Sequence, residues 1–336
     1  MGVFCYHQGV GQLLSRYSGF SAFNLIDNFG ANYAVPLFFL VSGYCIHLSN
    51  SRYLKSKQSL PLLNYLKRRF LRIYPAYIFA IAFSFLVNNI TGSENHTGIA
   101  DIFIHLFLLQ GFVSSSFSSI NLVLWTISVE FVLYLLYPIF YYIRIKYSLN
   151  NALLVAFIVS VISISFLISR PQLQLSEKYF VFNIWFAWCC GAFLADKKML
   201  NPTDLAKPMY KILYTILLII AIMLYYKDIE LVSYQLHIIL WAAPMMFIIS
   251  KENWLIKHRK PLLLLEYVGL SSYSLYLLHQ PLILLKNFLV VTYIAPKYAP
   301  LAMGIGFAII PLITWYCYKI IEEPFMKSQA KSPALI

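Results

Sequence analysis

"LWTISVEFVLYLLYP", residues 124–138, decides the fold class. The run is apolar enough to form the middle of a membrane-spanning helix, yet it carries a carboxylate, Glu130, with no basic residue between Ile120 and Tyr142. Ionisable groups inside a bilayer are costly, and by default they mark a functional position. At helical spacings of three and four, Thr126, Glu130, Tyr134, Tyr137 and Tyr141 fall on one face. That face is polar, so Glu130 is expected to look into protein and not into lipid. Two roles stay open for it at this point, a catalytic carboxylate or a hydrogen-bond acceptor joining two helices.

The rest of the chain has the same character. Of 336 residues, 60% are hydrophobic and only 12% charged, against roughly a quarter charged in soluble domains. Mean hydropathy is +0.70, which excludes an ordinary soluble enzyme. The formal charge of +13 does not imply nucleic acid, because Lys and Arg gather in short segments between apolar runs and form no single binding face. The five cysteines, Cys5, Cys45, Cys189, Cys190 and Cys317, show no metal-type or CxxC spacing, so no metal is expected. An all-α transmembrane bundle follows.

A crossing needs about 20 mostly apolar residues. Such runs lie near 33–49, 74–90, 122–143, 151–169, 179–195, 210–226, 231–250, 267–289 and 300–320. Residues 99–113 are shorter and carry Asp101 and His105, which suits a half-helix that enters and returns. Treating that segment as re-entrant puts 20 of the 26 basic residues on the cytoplasmic side. They are Arg52, Lys55, Lys57, Lys67, Arg68, Arg69 and Arg72; Arg144 and Lys146; Lys197, Lys198, Lys207 and Lys211; Lys251, Lys257, Arg259 and Lys260; and Lys319, Lys327 and Lys331. The C-terminus is then expected inside. Residues 8–32 fall outside, and only Met1–Tyr6 precede them, a rise of roughly 9 Å as helix. The expectation is about ten crossings with the first cut short at its start, in one membrane domain over 1–325 with a cytoplasmic tail at 326–336.

Three further clusters carry chemistry. In "SSYSLYLLHQPLILLK", 271–286, Ser272, Tyr276, His279 and Lys286 share a face, and Pro281 cannot donate to the Leu277 carbonyl, leaving that oxygen free near His279. A buried neutral imidazole can serve as a general base, and it can equally be a packing residue. In "LKRRFLRIYPAY", 66–77, Arg68, Arg69 and Arg72 present guanidinium forks suited to phosphate oxygens, though basic residues beside a span also serve topology and lipid headgroups. His7, in "FCYHQG", is the fourth candidate.

Taken in order, "YHQ" (6–8), "VPLFFLVSGYCI" (35–46), "RRFLRIYP" (68–75), "LWTISVEFVLYLLYP" (124–138), "SYSLYLLHQP" (272–281) and "IEEPF" (321–325) resemble the acyltransferase family 3 membrane proteins, which O-acylate bacterial surface and exported polysaccharides. The resemblance implies a reaction, transfer of an acyl group, usually acetyl, from cytoplasmic acetyl-CoA to a sugar hydroxyl at the bacterial inner membrane. Its implied partners are acyl-CoA, a polysaccharide or lipid-linked glycan and membrane lipids, with no nucleic acid. It maps the catalytic roles onto His7 and Glu130 and acyl-CoA binding onto Arg69 and Arg72, with Arg68 adjacent. Ser128, Tyr276 and His279 become supporting positions. His7 would act as base or as transient acyl carrier, with Glu130 orienting it. The family's basic residue one helical run before that histidine has no counterpart in the residues before His7, and the expectation is a transferase without the hydrolase-like domain that some members append. The alternatives from other classes are a proton-coupled transporter, which the intramembrane Glu130, His279 and the Pro281 break would also suit, and a non-catalytic subunit of a polysaccharide export complex.

Overall fold

The structure, a computed structural model, describes residues 1–93, 98–170, 172–200 and 230–330, together with 212, 215, 216, 219, 220 and 223. It is helical, with no strand among the described residues. In chain order the helices are α1 (Gly2–His7), α2 (Val10–Ser18), α3 (Asn24–Asn32), α4 (Ala34–Ser49), α5 (Ser51–Lys55), α6 (Leu62–Thr91), α7 (Ile99–Leu106), α8 (Trp125–Lys146), α9 (Leu149–Ile168), α10 (Leu175–Lys178), α11 (Val181–Leu200), α12 (Glu230–Leu240), α13 (Ala242–Ser250), α14 (Glu252–Lys257), α15 (Arg259–Leu270), α16 (Ser272–Tyr293), α17 (Ala299–Cys317) and α18 (Glu323–Ala330).

Among the described residues six stretches are long and apolar enough to cross a membrane: Leu62–Thr91, Trp125–Lys146, Leu149–Ile168, Leu175–Leu200, Ser272–Tyr293 and Pro296–Lys327. A seventh appears if Ser21–Asn32 and Ala34–Ser49, bent by 47° at their junction, count as one crossing. The expected ten are therefore not seen. Three differences account for this. The run at 231–250 breaks at Trp241 into α12 and α13. The run at 210–226 falls largely outside the described residues. The N-terminal helix α1 has six residues.

Contact clustering divides the chain into two compact units. The first holds Met1–Ala31, Leu63–Ser128 and Arg259–Ile336. Within it, α1 packs on α16, and α16 on α17. Asp27, 7% exposed, accepts the amides of Gly11 and Gln12 at 2.9 and 2.8 Å, giving the first turn of α2 the acceptor that an uncapped helix start lacks. The segment read as a half-helix is α7, eight residues long, after which the backbone turns through a left-handed Leu108 (φ 58°). Side chains satisfy the irregular backbone around it. Asp101 accepts from the Gly98 amide at 3.0 Å and from the hydroxyls of Ser116 and Ser119 at 2.6 and 3.1 Å. Gln110 donates to the Leu124 carbonyl at 2.7 Å. Non-helical backbone at membrane depth is tolerated only with such internal partners.

The second unit holds Asn32–Leu62 and Val129–His258. Its centre is the crossing of α4 and α11, where two glycines let the backbones touch. A Cβ on Gly43 would strike the Trp188 carbonyl oxygen, and one on Gly191 would strike the Leu40 carbonyl oxygen and come within 2.8 Å of the Tyr44 nitrogen. Small residues at helix crossings let helices in lipid approach closely enough for van der Waals packing to hold them. Around that crossing Phe39, Leu40, Tyr137, Phe140 and Trp188 are fully buried.

Ala at Gly43 or Gly191 must push the two helices apart, and each substitution is expected to destabilise the fold by about 1–3 kcal/mol. Thermal unfolding in detergent checks this, and an unshifted midpoint for both variants would contradict the close crossing.

Candidate functional site

In the first unit the end of α1 meets the middle of α16. The His7 and His279 rings lie 5.3 Å apart, centroid to centroid, at an interplanar angle of 37°. One residue further, Lys286 donates to the Gln8 side-chain oxygen at 2.6 Å. Phe4, 1% exposed, sets its ring edge-on to His279 at 6.4 Å. The two histidine-bearing stretches quoted from the sequence, 6–8 and 272–281, thus build one place.

His279 is 1% exposed, and its Nδ1 lies 2.8 Å from the Tyr276 carbonyl and 3.1 Å from that of Leu275. Carbonyl oxygens only accept, so Nδ1 must carry the proton that bonds them. In the neutral ring the lone pair then resides on Nε2, which is buried with no hydrogen-bond partner among the described residues. A tautomer fixed by backbone carbonyls and an unoccupied acceptor nitrogen beside a second imidazole are the ingredients of a proton-transfer site. Tyr276 stands next to it, its hydroxyl 2.9 Å from that of Thr126 and donating to the Val123 carbonyl at 3.2 Å. The Leu277 carbonyl released by Pro281 is not free, as the sequence suggested. Asn121 donates to it at 2.9 Å, and Asn121 also bonds the Ser84 hydroxyl at 3.1 Å.

Ser128 is fully engaged with backbone. Its hydroxyl donates to the Leu108 carbonyl and accepts the Gly111 amide at 3.2 Å, so it fastens the turn that follows α7. A Cβ on Gly111 would come within 2.9 Å of that hydroxyl oxygen, which explains the glycine.

The basic cluster lies on α6. Arg68, Arg69 and Arg72 are half-buried, with Arg69 over the Tyr65 ring and Arg72 over that of Tyr273, each at 5.8 Å. Arg72 also forms an ion pair with Glu322, which is 2% exposed on a π-helical turn, Tyr318–Glu322, and accepts the Ser274 hydroxyl at 2.8 Å. Two more of the quoted stretches, 68–75 and 321–325, therefore converge with 272–281 on one carboxylate. Nothing local in the sequence pairs Arg72 with Glu322, although Glu322 lay in a quoted stretch.

Glu130 belongs to the second unit and is 3% exposed. Its Oε1 accepts the Ser42 hydroxyl at 2.7 Å and the Tyr134 hydroxyl, while the Trp188 indole N–H donates to Ser42 at 3.1 Å. The carboxylate so holds α4, α8 and α11 in register. The polar face expected of α8 is buried, with Thr126, Tyr137 and Tyr141 at 0, 0 and 2% exposure. A second buried network lies in the same unit, where Asp196 bonds His47 Nε2 at 3.0 Å and takes Arg144 Nε and Nη2 at 2.7 and 3.3 Å. Sequence reasoning missed it, because Arg144 reads as a topology signal and Asp196 as one more acid near a helix end. His7 and Glu130 stand in different units, each with the local partners given above.

Comparison with known proteins agrees with the resemblance. The family model described as an acyltransferase domain matches residues 1–319. Proteins named O-acetyltransferase OatA from Staphylococcus aureus strains NCTC 8325, COL and MRSA252 are each 26% identical over 340 positions, covering 91% of this chain and 54% of the relative. The chain thus spans about half the length of the curated relatives it matches. No solved structure matches it significantly.

Arg72→Ala leaves the buried Glu322 with Ser274 as its remaining contact described here, and is expected to destabilise the protein by about 2–4 kcal/mol, discounted for the partial exposure of Arg72. Adding Glu322→Ala should recover part of that loss. Equal stability of all three proteins in thermal unfolding would show that the pair carries no structural energy.

Proposed function

The chain belongs to the acyltransferase domain family, and from that premise we propose that it is a membrane O-acetyltransferase. In this reading it moves an acetyl group from acetyl-CoA on the cytoplasmic side to a hydroxyl of a cell-surface or exported polysaccharide at the bacterial inner membrane. The ten-crossing topology with an inner C-terminus belongs to the same proposal. The observation that carries it is the His7–His279 pair, a buried acceptor nitrogen of fixed tautomer beside a second imidazole. The name of the Staphylococcus relatives supports acetyl as the group moved.

In the proposed reaction the sugar hydroxyl oxygen attacks the thioester carbonyl carbon. The hydroxyl proton passes to His7, the carbon–sulfur bond breaks, and the coenzyme A thiolate leaves and is reprotonated. His279 holds its proton on Nδ1 and offers Nε2 to the same step. Glu130 supplies a carboxylate charge, and Arg68 and Arg69 bind the donor's phosphates by bidentate bonding. Arg72, already paired with Glu322, is given a lesser share of that binding.

Purified protein in lipid, given labelled acetyl-CoA and polysaccharide, should release coenzyme A and label the glycan. Solute movement across vesicles with no coenzyme A release would replace the enzyme with a transporter. His7→Ala should lower turnover about 10²–10⁴-fold without unfolding the protein. Glu130→Gln should express normally and turn over more slowly. If the two serve one step, the double variant is no slower than the slower single variant, whereas fully multiplicative losses would separate their roles.

Replacing Arg68 and Arg69 by Ala should raise KM for acetyl-CoA more than for the acceptor. An unchanged affinity for coenzyme A would remove the phosphate role from this pair.

A further inference from the structure

In the second unit a cleft of about 380 Å³ opens between the end of α8, the start of α9 and the end of α11. Lys57, Arg144 and Lys197 line it, with Asp196 as the acid among its lining residues. Asp196 does not cancel the cleft's charge freely, because it is 3% exposed and committed to His47 and to the Nε and Nη2 of Arg144. That bidentate bond fixes the guanidinium plane and leaves Nη1 with no bond among the described residues. Tyr137 completes the support from behind, its hydroxyl 3.3 Å from His47 Nδ1.

The cleft's other two walls are equally set. Tyr141 donates to the Gln58 carbonyl at 2.7 Å and pins the turn that carries Lys57, whose backbone is left-handed at φ 54°. Ser148 caps α9 by accepting the Asn151 amide at 3.1 Å, so the amides of Leu149 and Asn150, both cleft-lining residues, have no partner inside the helix. Two lysines, an arginine held flat by a buried carboxylate, and the positive end of a 20-residue helix thus surround one concavity.

We infer that this cleft binds a phosphate group, with Lys57 and Lys197 neutralising its charge and Arg144, oriented by Asp196, bonding its oxygens. A volume of 380 Å³ suits a phosphate or pyrophosphate moiety, and the charge asymmetry of the sequence puts all three cations in cytoplasmic segments. The same chemistry is offered by a soluble phosphate compound and by an anionic lipid headgroup. The inference stands independently of acyl transfer.

The test uses the full chain in nanodiscs, with inorganic pyrophosphate measured by calorimetry and retained phosphatidylglycerol counted by native mass spectrometry. Lys57→Ala with Lys197→Ala should weaken at least one of the two by about ten- to thirtyfold, at near 1 kcal/mol per surface cation, with an unchanged thermal midpoint. Loss of pyrophosphate binding alone assigns the cleft to a soluble ligand. Loss of lipid alone assigns it to a headgroup, and loss of both to phosphate of either origin. Arg144→Lys, which keeps the charge and removes the fork, should weaken the same ligand. Unchanged binding of both probes in the lysine double variant would overturn the inference.

Discussion

Water is absent from the interior of a bilayer, so every polar group this chain buries must find its partner inside the protein. That constraint explains why the polar residues of so apolar a sequence occur in bonded sets. Glu130 comes with Ser42 and Tyr134, Asp196 with His47 and Arg144, Glu322 with Arg72 and Ser274, and the Leu277 carbonyl released by Pro281 with Asn121. Each set ties together elements far apart in sequence. A single unsatisfied member would cost about 1–3 kcal/mol or more, so each set also dictates which helices can be neighbours.

His279 departs from this pattern, as does His105, whose Nε2 is likewise buried without a bond among the described residues. The Nδ1–H of His279 is committed to two carbonyls of its own helix while Nε2 has no bond among the described residues. An orphaned buried acceptor is tolerated where it does work, and here its neighbour is the imidazole of His7. The sets surrounding it are rigid supports, and a bare nitrogen beside a second imidazole is a place where a proton can be received. Ser128 illustrates the converse. It lies in the same stretch as Glu130, but both its donor and its acceptor are used by the turn after α7, so its contribution is to shape.

The helices were legible where a local signal exists. Apolar runs near 20 residues located α8, α9, α11 and α16 to within a few residues, and the spacing of Thr126, Glu130, Tyr134, Tyr137 and Tyr141 identified a buried polar face. The short polar-containing run at 99–113 likewise announced that α7 would not cross. What the sequence concealed was long-range pairing. No periodicity links Arg72 to Glu322, Arg144 to Asp196, or Asn121 to the Leu277 carbonyl, because each bond joins positions whose only relation is the packed fold. The break at Trp241 and the 47° bend before Ala34 were hidden for a related reason, since hydropathy counts apolar residues and does not see where tertiary packing interrupts a helix.

The account rests most heavily on the protonation of one ring. Nitrogen-15 NMR of histidine-labelled protein in lipid, with His279→Asn as the assignment control, reads that directly. The account predicts a neutral His279 with its proton on Nδ1 and a bare Nε2 at neutral pH. A resonance reporting Nε2–H, or a doubly protonated ring, would contradict it.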